Sequence, residues 1–284
     1  MLNTLTIIIP TYKRYSYLIR LLKFLNLYKN PIKILILDST PENLYNEKIH
    51  KIINNDRITH IRFDDNVTFW DKIAQGTQNI NTEFVTLCAD DDFIIPNAAV
   101  SCMEFLKENK NYSSAHGLFF QHPNYETIKN IGFSLAPLYQ ERIDSFGDTA
   151  SDRLTSYLSG KGLNPLYAVH RSTILSLIWS ETSKYVSDWN LHETFPCCLS
   201  AIYGKTKRLP IFYASRESNN FRVNNYENIK RTFSPEKVSR AVEGVAEHLS
   251  QIDRISIEEA ESVVSRAFAE SLIKVKKKFS KKEA

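Results

Sequence analysis

The stretch Glu83–Pro96, EFVTLCADDDFIIP, decides how the rest of the chain is read. Phe84, Val85, Leu87, Cys88 and Ala89 form a strand-like apolar run that ends in three consecutive aspartates, Asp90, Asp91 and Asp92. Phe93-Ile94-Ile95 follow, and Pro96 opens a helix, where its missing N–H does no harm. Three adjacent carboxylates repel one another unless a cation offsets them. Hard divalent ions such as Mg²⁺ and Mn²⁺ take oxygen ligands, often one or two carboxylates with the phosphates of a substrate. On an extended chain, Asp90 and Asp92 point to one face and Asp91 to the other. The expectation is therefore a metal held by Asp92 and by Asp90, directly or through water. The alternative, a solvated acidic turn, fits poorly with apolar residues on both sides that fix the cluster at the edge of a core.

Outward from this centre the chain alternates strands and helices. Leu5–Ile9 is a β-branched run closed by Pro10, and it reads as a strand buried on both faces. Residues 15–28 carry Leu18, Leu21, Leu22 and Leu25 at helical spacing. Ile32–Leu37 is the next strand and ends at Asp38-Ser39-Thr40-Pro41. A strand–helix–strand order implies a right-handed crossover and a parallel sheet. Ligands of such sheets sit beyond the carboxyl ends of the strands. Tyr12, Asp38 and Asp90 all follow predicted strand ends and are expected to share one crevice.

A helix is expected over 42–54, then a strand at Ile58–Phe63, a loop Asp64-Asp65-Asn66 and a helix at Phe69–Ile80 that leads into the central strand. After the helix Pro96–Lys107 come a strand at 115–121 and an irregular segment, 122–150, that suits an insertion or loop over the site. Further elements are a helix at 151–159, a strand Leu166–Arg171 and a helix Ser172–Trp179 capped by Ser172. A helix at 189–203 capped by Ser187 or Asp188, and a strand Leu209–Ala214, complete a first domain over residues 1–222. Residues 223–284 read as a helical extension, with helices at 235–251 and 256–280. Ser256-Ile257-Glu258-Glu259 resembles a capping box for the second of these.

The 284 residues are 43% hydrophobic, ordinary for a globular chain with a core. No run approaches the roughly 20 apolar residues of a membrane span. No secretory leader is expected at the start. The four cysteines, Cys88, Cys102, Cys197 and Cys198, form no C-x-x-C pair and suit reduced, cytoplasmic core positions. The net charge of +4 is uneven, because residues 274–284 hold six Lys and one Glu, so the rest of the chain carries −1. A basic groove interleaved with aromatics is absent, which argues against nucleic acid.

Four stretches together resemble the nucleotide-diphospho-sugar glycosyltransferases of family 2, which have the GT-A fold. They are TIIIPTYKR (Thr6–Arg14), ILILDST (Ile34–Thr40), LCADDDFIIP (Leu87–Pro96) and VSDWNLHETF (Val186–Phe195). The resemblance covers about residues 5–222 and implies an α/β fold, Rossmann-like, with a mostly parallel central sheet flanked by helices. It implies a metal-dependent enzyme, with Mn²⁺ or Mg²⁺ on a D-x-D motif. Such an enzyme moves a sugar from a nucleotide-diphospho-sugar, by default a UDP-sugar, to a glycan or lipid-linked acceptor in surface polysaccharide synthesis. The absence of a Q-x-x-R-W stretch favours single addition over processive synthesis. One aspartate stands at Asp38 where many members have two.

On this resemblance, Pro10, Thr11 and Tyr12 shape the base pocket, Arg14 reaches a phosphate and Asp38 accepts hydrogen bonds from the base or ribose. Asn66 and Lys72 face the donor, Asp91 serves the sugar or ribose, and Arg216 and Arg222 close over the diphosphate. Asp188 is the expected general base, with Glu193 as the alternative carboxylate. Each has a plainer reading. Asp38 suits a turn before Pro41, Tyr12 a core aromatic and Arg14 a surface charge. Lys72 suits a pair with Asp71, Asp188 a helix cap, and Arg216 a pair with Glu217 or Asp188. Helix 256–280 places Ile257, Ala260, Val263, Val264, Ala267, Phe268, Leu272 and Val275 on one stripe, which suits packing on the first domain or on a second copy. The lysines Lys274–Lys282 suit contact with an anionic inner-leaflet surface. The competing functions are a sugar nucleotidyltransferase, disfavoured because the loop PTYKRYS has no glycine, and a non-catalytic nucleotide-sugar-binding module.

Overall fold

The order of hydrogen-bonded strands explains how the acidic stretch reaches the middle of the molecule. The structure is a computed structural model that describes residues 4–29, 32–45, 47–218 and 234–280, with the side chains at 47, 125, 126, 131 and 272–280 outside the description. Its first half runs β1 (Leu5–Thr11), α1 (Tyr15–Asn26), β2 (Lys33–Asp38), α2 (Glu47–Ile53), β3 (Ile58–Arg62), α3 (Phe69–Thr77) and β4 (Phe84–Leu87). These four strands are parallel and ordered β3-β2-β1-β4, as two right-handed windings from a central strand require. Ile7 and Ile9 of β1 pack with Leu18, Leu21, Leu22 and Leu25 of α1, whereas Ile8 packs with Ile73 of α3 on the opposite face. Both faces of β1 are therefore covered, which is why its sequence is apolar throughout rather than alternating.

The second half holds β5 (Phe93–Ile94), α4 (Pro96–Glu108), β6 (Tyr112–Pro123), α5 (Tyr125–Ile131), β7 (Ala136–Leu138), α6 (Ala150–Leu158), β8 (Val169–Arg171), α7 (Ser172–Tyr185), α8 (Thr194–Tyr203) and β9 (Lys205–Ser218). The parallel run stops at β4. β8 joins it antiparallel, followed by β6, β9 and β5, with β7 on the side of β6. The fold is α/β with a mixed sheet between helical layers, and the GT-A expectation stands. Two helices follow, α9 (Pro235–Asp253) and α10 (Ile257–Ser280). Among the described residues no helix is long and apolar enough to cross a membrane.

Several expected boundaries move. The 42–54 helix splits into a single 3₁₀ turn, Glu42–Leu44, and the short α2. Residues 122–150 are not wholly irregular, since they include α5 and β7. Ser172 is the first helical residue rather than the cap, and its amide is spent on the Glu83 carbonyl at 2.9 Å. The helix expected at 189 begins only at Thr194, because residues 189–193 form turns in which Leu191 N–H returns to the Asp188 carbonyl at 3.1 Å.

The expected domain boundary at 222 falls outside the described residues. The C-terminal helices pack on the body: Ala241, Val245, Ala246 and Leu249 of α9 share a core with Leu154 of α6 and Phe195 of α8. Ala260, Val264, Ala267 and Phe268 carry the same core along α10. Of the stripe expected on α10, Ile257 is 38% exposed, and Leu272 and Val275 lie outside the described side chains. Gly244 lets α9 close on α7, since a Cβ there would lie 2.6 Å from the Tyr185 ring. Asp253, at the end of α9, accepts the amides of Ala150 and Ser151 at 2.7 and 2.8 Å and so caps α6. Ser256 Oγ accepts the Glu259 amide at 3.2 Å, which is the first half of the expected capping box.

His116 and His170 are neighbours across the β6–β8 seam, and burial pushes each ring's pKa down to about 4. An unfolded histidine takes up a proton near pH 6.5, so below that pH the unfolded chain binds protons that the fold refuses. This contribution is harmless above pH 6.5 and destabilises progressively as pH falls toward 4, at about 1.4 kcal/mol per pH unit for each ring. His170→Gln keeps a donor for the Pro165 carbonyl, which His170 reaches at 2.8 Å. In urea unfolding, the stability difference between pH 7 and pH 5 is expected to shrink in the variant by roughly 1–2 kcal/mol. An unchanged difference would mean that His170 is already protonated in the fold.

Candidate active site

The parallel register places the carboxyl ends of β1, β2 and β4 side by side. Thr11 pairs with Asp38, and Ile8 lies between Leu35 and Leu87. Beyond Leu87 the chain does not continue as a strand. Asp92 N–H turns back to the Ala89 carbonyl at 3.1 Å, so Asp90–Asp92 form a tight turn. The pleat that would pair Asp90 with Asp92 is therefore lost, and the expected facing is corrected. Asp90 and Asp91 instead share Arg14, at 3.3 and 2.6 Å, whereas Asp92 binds Arg216 Nε at 3.1 Å and the Glu217 amide at 2.9 Å. All three aspartates are buried.

Burial is the largest influence on these acids. It lifts Asp90 to about 6, against the pull of Arg14 and of the Thr11 hydroxyl, which donates to it at 2.8 Å. It also lifts Asp92, against the pull of Arg216. The Arg216 guanidinium lies 4.9 Å over the Tyr167 ring and donates to the Tyr139 hydroxyl at 3.0 Å, which aims it at the cluster. It pairs with neither Glu217 nor Asp188. Glu217 is held by Arg20, whose other terminal nitrogen reaches the Asp91 carbonyl at 2.7 Å.

Asp38 is fully buried and its oxygens are taken up inside the protein. One accepts the Thr40 amide at 2.8 Å, and the other accepts Tyr15 OH at 2.7 Å, Arg62 at 3.2 Å and His60 at 3.1 Å. Burial opposes its ionisation, but the hydrogen bonds from His60, Thr40 and Tyr15 outweigh burial and hold the carboxyl down to about 2. Asp38 thus organises the ends of β2 and β3 from within. The surface that these ends present is an open pocket of about 640 Å³ lined by Thr40, Arg62, Phe63, Asp64, Val67 and Gln75, among others. Asn66 is exposed beside this loop.

Lys72 lies on α3 and is buried, yet it points into the crevice, donating to the Thr11 carbonyl at 2.9 Å and to Ser39 Oγ at 2.8 Å. Burial lowers its pKa to about 8, with Asp38 and Asp90 pulling the other way. The pair with Asp71 does not form, because Asp71 binds Thr68 and Ser183. Pro10 closes β1, and Tyr12 is exposed at the mouth with Lys13 4.7 Å over its ring. Asp188 is half-buried; it accepts the Asn190 amide at 2.7 Å and faces Lys237 of α9 at 3.4 Å. Glu193, at the start of α8, lies within electrostatic range of Arg216 and Tyr167. Arg222 lies outside the described residues.

Thr11, Asp38, Lys72, Asp90, Asp91, Asp92, Arg14 and Arg216 are therefore drawn together. Arg62, His60, Tyr15, Arg20 and Tyr167 were missed as site residues. His60 and Arg62 carry a usable signal, since two polar residues at i and i+2 on a strand beside Asp38 share one face. Among the described residues no three or more His, Cys, Asp or Glu side chains converge as a ready metal cage. The donors present are hard carboxylate oxygens, the right chemistry for Mg²⁺ or Mn²⁺. One or two of them suffice when a substrate's phosphates complete the shell.

No curated protein matches the chain in sequence. Among solved structures it resembles the S. aureus TarS fragment 1–349 in complex with UDP-GlcNAc, with a TM-score of 0.62 and 14% identity over 94% of this chain and 72% of that one. The same fragment described without a ligand gives a TM-score of 0.59 and 15% identity over 95% and 70% of the two chains. Its complex with UDP gives 0.58 and 14% over 94% and 70%. At these identities the likeness concerns the fold. The family model for glycosyl transferase family 2 matches residues 6–158, more than half of the chain. That match covers the strands whose ends gather Thr11, Asp38 and the three aspartates, and by it the chain belongs to glycosyl transferase family 2 and is a glycosyltransferase.

Proposed function

We propose that the enzyme transfers a sugar from a UDP-sugar to a hydroxyl of a glycan or lipid-linked acceptor, with inversion at the anomeric carbon, in the synthesis of a surface polysaccharide. The observation that carries this reading is the convergence of three buried aspartates and the cations Arg14, Lys72 and Arg216 on one row of strand ends. Such a crevice complements a ligand that carries its own anionic diphosphate and its own metal. The choice of uridine rests on the UDP and UDP-GlcNAc held by the S. aureus TarS fragment.

In this reading Pro10, Thr11 and Tyr12 border the base, and Asp38 shapes the pocket from beneath through Thr40 and Arg62. Asn66 and Lys72 face the donor, and Asp91 serves the sugar or ribose. Asp92, with Asp90 directly or through water, would hold Mg²⁺ or Mn²⁺, which when bound would neutralise charge on the leaving diphosphate as a Lewis acid. Arg14, Arg216 and Arg222 bind phosphate oxygens, for which a guanidinium's two parallel donors are well suited. The acceptor hydroxyl must lose its proton as its oxygen attacks, and a carboxylate within hydrogen-bond reach takes it. Asp188 is the proposed base. Glu193 is the second reading, favoured by lying within electrostatic range of Arg216. Lys274–Lys282 would hold the enzyme at an anionic membrane surface, each lysine contributing about 1 kcal/mol. The C-terminal helices would be the place for a second copy to pack. No role for nucleic acid is proposed.

Thermal shift with UDP, GDP, dTDP and CMP, each with and without Mn²⁺, tests the donor site. UDP with Mn²⁺ is expected to raise the midpoint, by about 2.7 kcal/mol of added stability at a hundredfold excess over Kd. Asp92→Asn is expected to abolish the metal-dependent part, and an undiminished shift would move the metal elsewhere. For the base, Asp188→Asn and Glu193→Gln should both keep the nucleotide shift, while sugar transfer falls by roughly a hundredfold or more in Asp188→Asn alone. Loss only in Glu193→Gln would transfer the role to Glu193.

A further inference from the structure

Trp189 is the large aromatic that the fold leaves most conspicuously uncovered near the site, at 60% exposure. It is not loose. Its ring stacks on His192 with centroids 4.2 Å apart at 25°, and the His192 ring is tied back to the Trp189 carbonyl. Phe69 and Trp70, from the first turn of α3, brace the pair at 6.0 and 6.3 Å from the Trp189 ring. An indole buries a large apolar area when it can, so a braced but open indole face marks a binding surface more readily than a packing residue.

Its position relative to the donor crevice follows from α3. Trp70 and Lys72 are two residues apart on a helix and so face different ways. Lys72 enters the crevice at Thr11 and Ser39, while Trp70 meets Trp189 on the flank. The same turn that holds Trp189 carries Asp188 before it and leads to Glu193, which is within electrostatic range of Arg216, the partner of Asp92. An exposed aromatic face in a turn that also carries Asp188 and Glu193 matches the chemistry of a pyranose. One face of the sugar ring offers C–H groups to the indole, and its edge offers hydroxyls to the carboxylates.

We propose that the stacked Trp189–His192 pair is the platform on which a pyranose ring of the acceptor lies, with its hydroxyl edge toward Asp188 and Glu193. This rests on the glycosyltransferase reading of the adjacent crevice and names the acceptor as a saccharide at that point of contact. The turn geometry supports the assignment: because α8 starts only at Thr194, residues 189–193 form turns ahead of it in which Trp189 stays exposed while Leu191 and His192 are buried.

The test uses the full chain and saturation-transfer NMR with the methyl β-glycosides of glucose, galactose, mannose and N-acetylglucosamine. Thermal shift with UDP and Mn²⁺ runs in parallel. At least one glycoside is expected to receive saturation, strongest on the protons of one ring face. In Trp189→Ala that signal should fall roughly fivefold or more, as the loss of one ring contact implies. Trp189→Phe should largely restore it, and the UDP shift should stay at the wild-type value in both variants. An unchanged signal in Trp189→Ala, or no signal from any glycoside with the wild type, would overturn the platform. Loss of the UDP shift in Trp189→Ala would also overturn it, by assigning the ring to the donor. Absence of a UDP shift in the wild type would instead overturn the donor reading, and the glycoside arm would still decide the platform.

Discussion

Three neighbouring carboxylates in a buried turn are the constraint on which the arrangement depends. Uncompensated charges of one sign are costly where water is excluded. Here the compensation comes from Arg14, in the loop after β1, and from Arg216, near the end of β9. These segments are far apart in sequence and belong to different parts of the sheet. The acidic turn therefore ties the parallel half of the sheet to its mixed half. Both arginines keep part of their surface open, at 34% and 26% for the side chains, so the charge balance that holds the turn faces the crevice.

A second layer of polar contacts sets the walls of that crevice. Asp38 spends its carboxylate on Thr40, Tyr15, His60 and Arg62, and thereby positions the loops that follow β2 and β3. Lys72 crosses from α3 to the end of β1 and to Ser39. Buried polar groups of this kind are tolerable because their hydrogen-bonding capacity is met. Their fixed geometry leaves Thr40 and Arg62 at the rim of the open pocket.

The C-terminal helices pack behind the turn that carries Asp188. They share a core with α6, α7 and α8, and Lys237 of α9 faces Asp188. The turn that carries Asp188, Trp189 and Glu193 is thus held between α3 on one side and α9 on the other. This joins the placement of that turn to the packing of a region that the family match at residues 6–158 does not reach.

The order of elements and the gathering of the candidate site residues at the strand ends were legible in the sequence, because both rest on local pattern. Apolar runs such as Leu5–Ile9 and Phe84–Leu87 read as strands covered on both faces, and the helix of leucines between the first two strands implies a parallel crossover. Residues at the ends of those strands then had to meet. What the sequence by itself could not determine was how the side chains pair once they are there. The side-chain pairing of Asp90–Asp92 and the inward commitment of Asp38 follow from partners more than 20 residues distant, while the late start of α8 follows from turn hydrogen bonds such as Leu191 N–H to the Asp188 carbonyl. Alternation along a strand predicts facing only while the strand lasts. Where it ends, the positions of Arg14, Arg62 and Arg216 decided which cation each buried carboxylate meets, because each charge had to be matched in three dimensions.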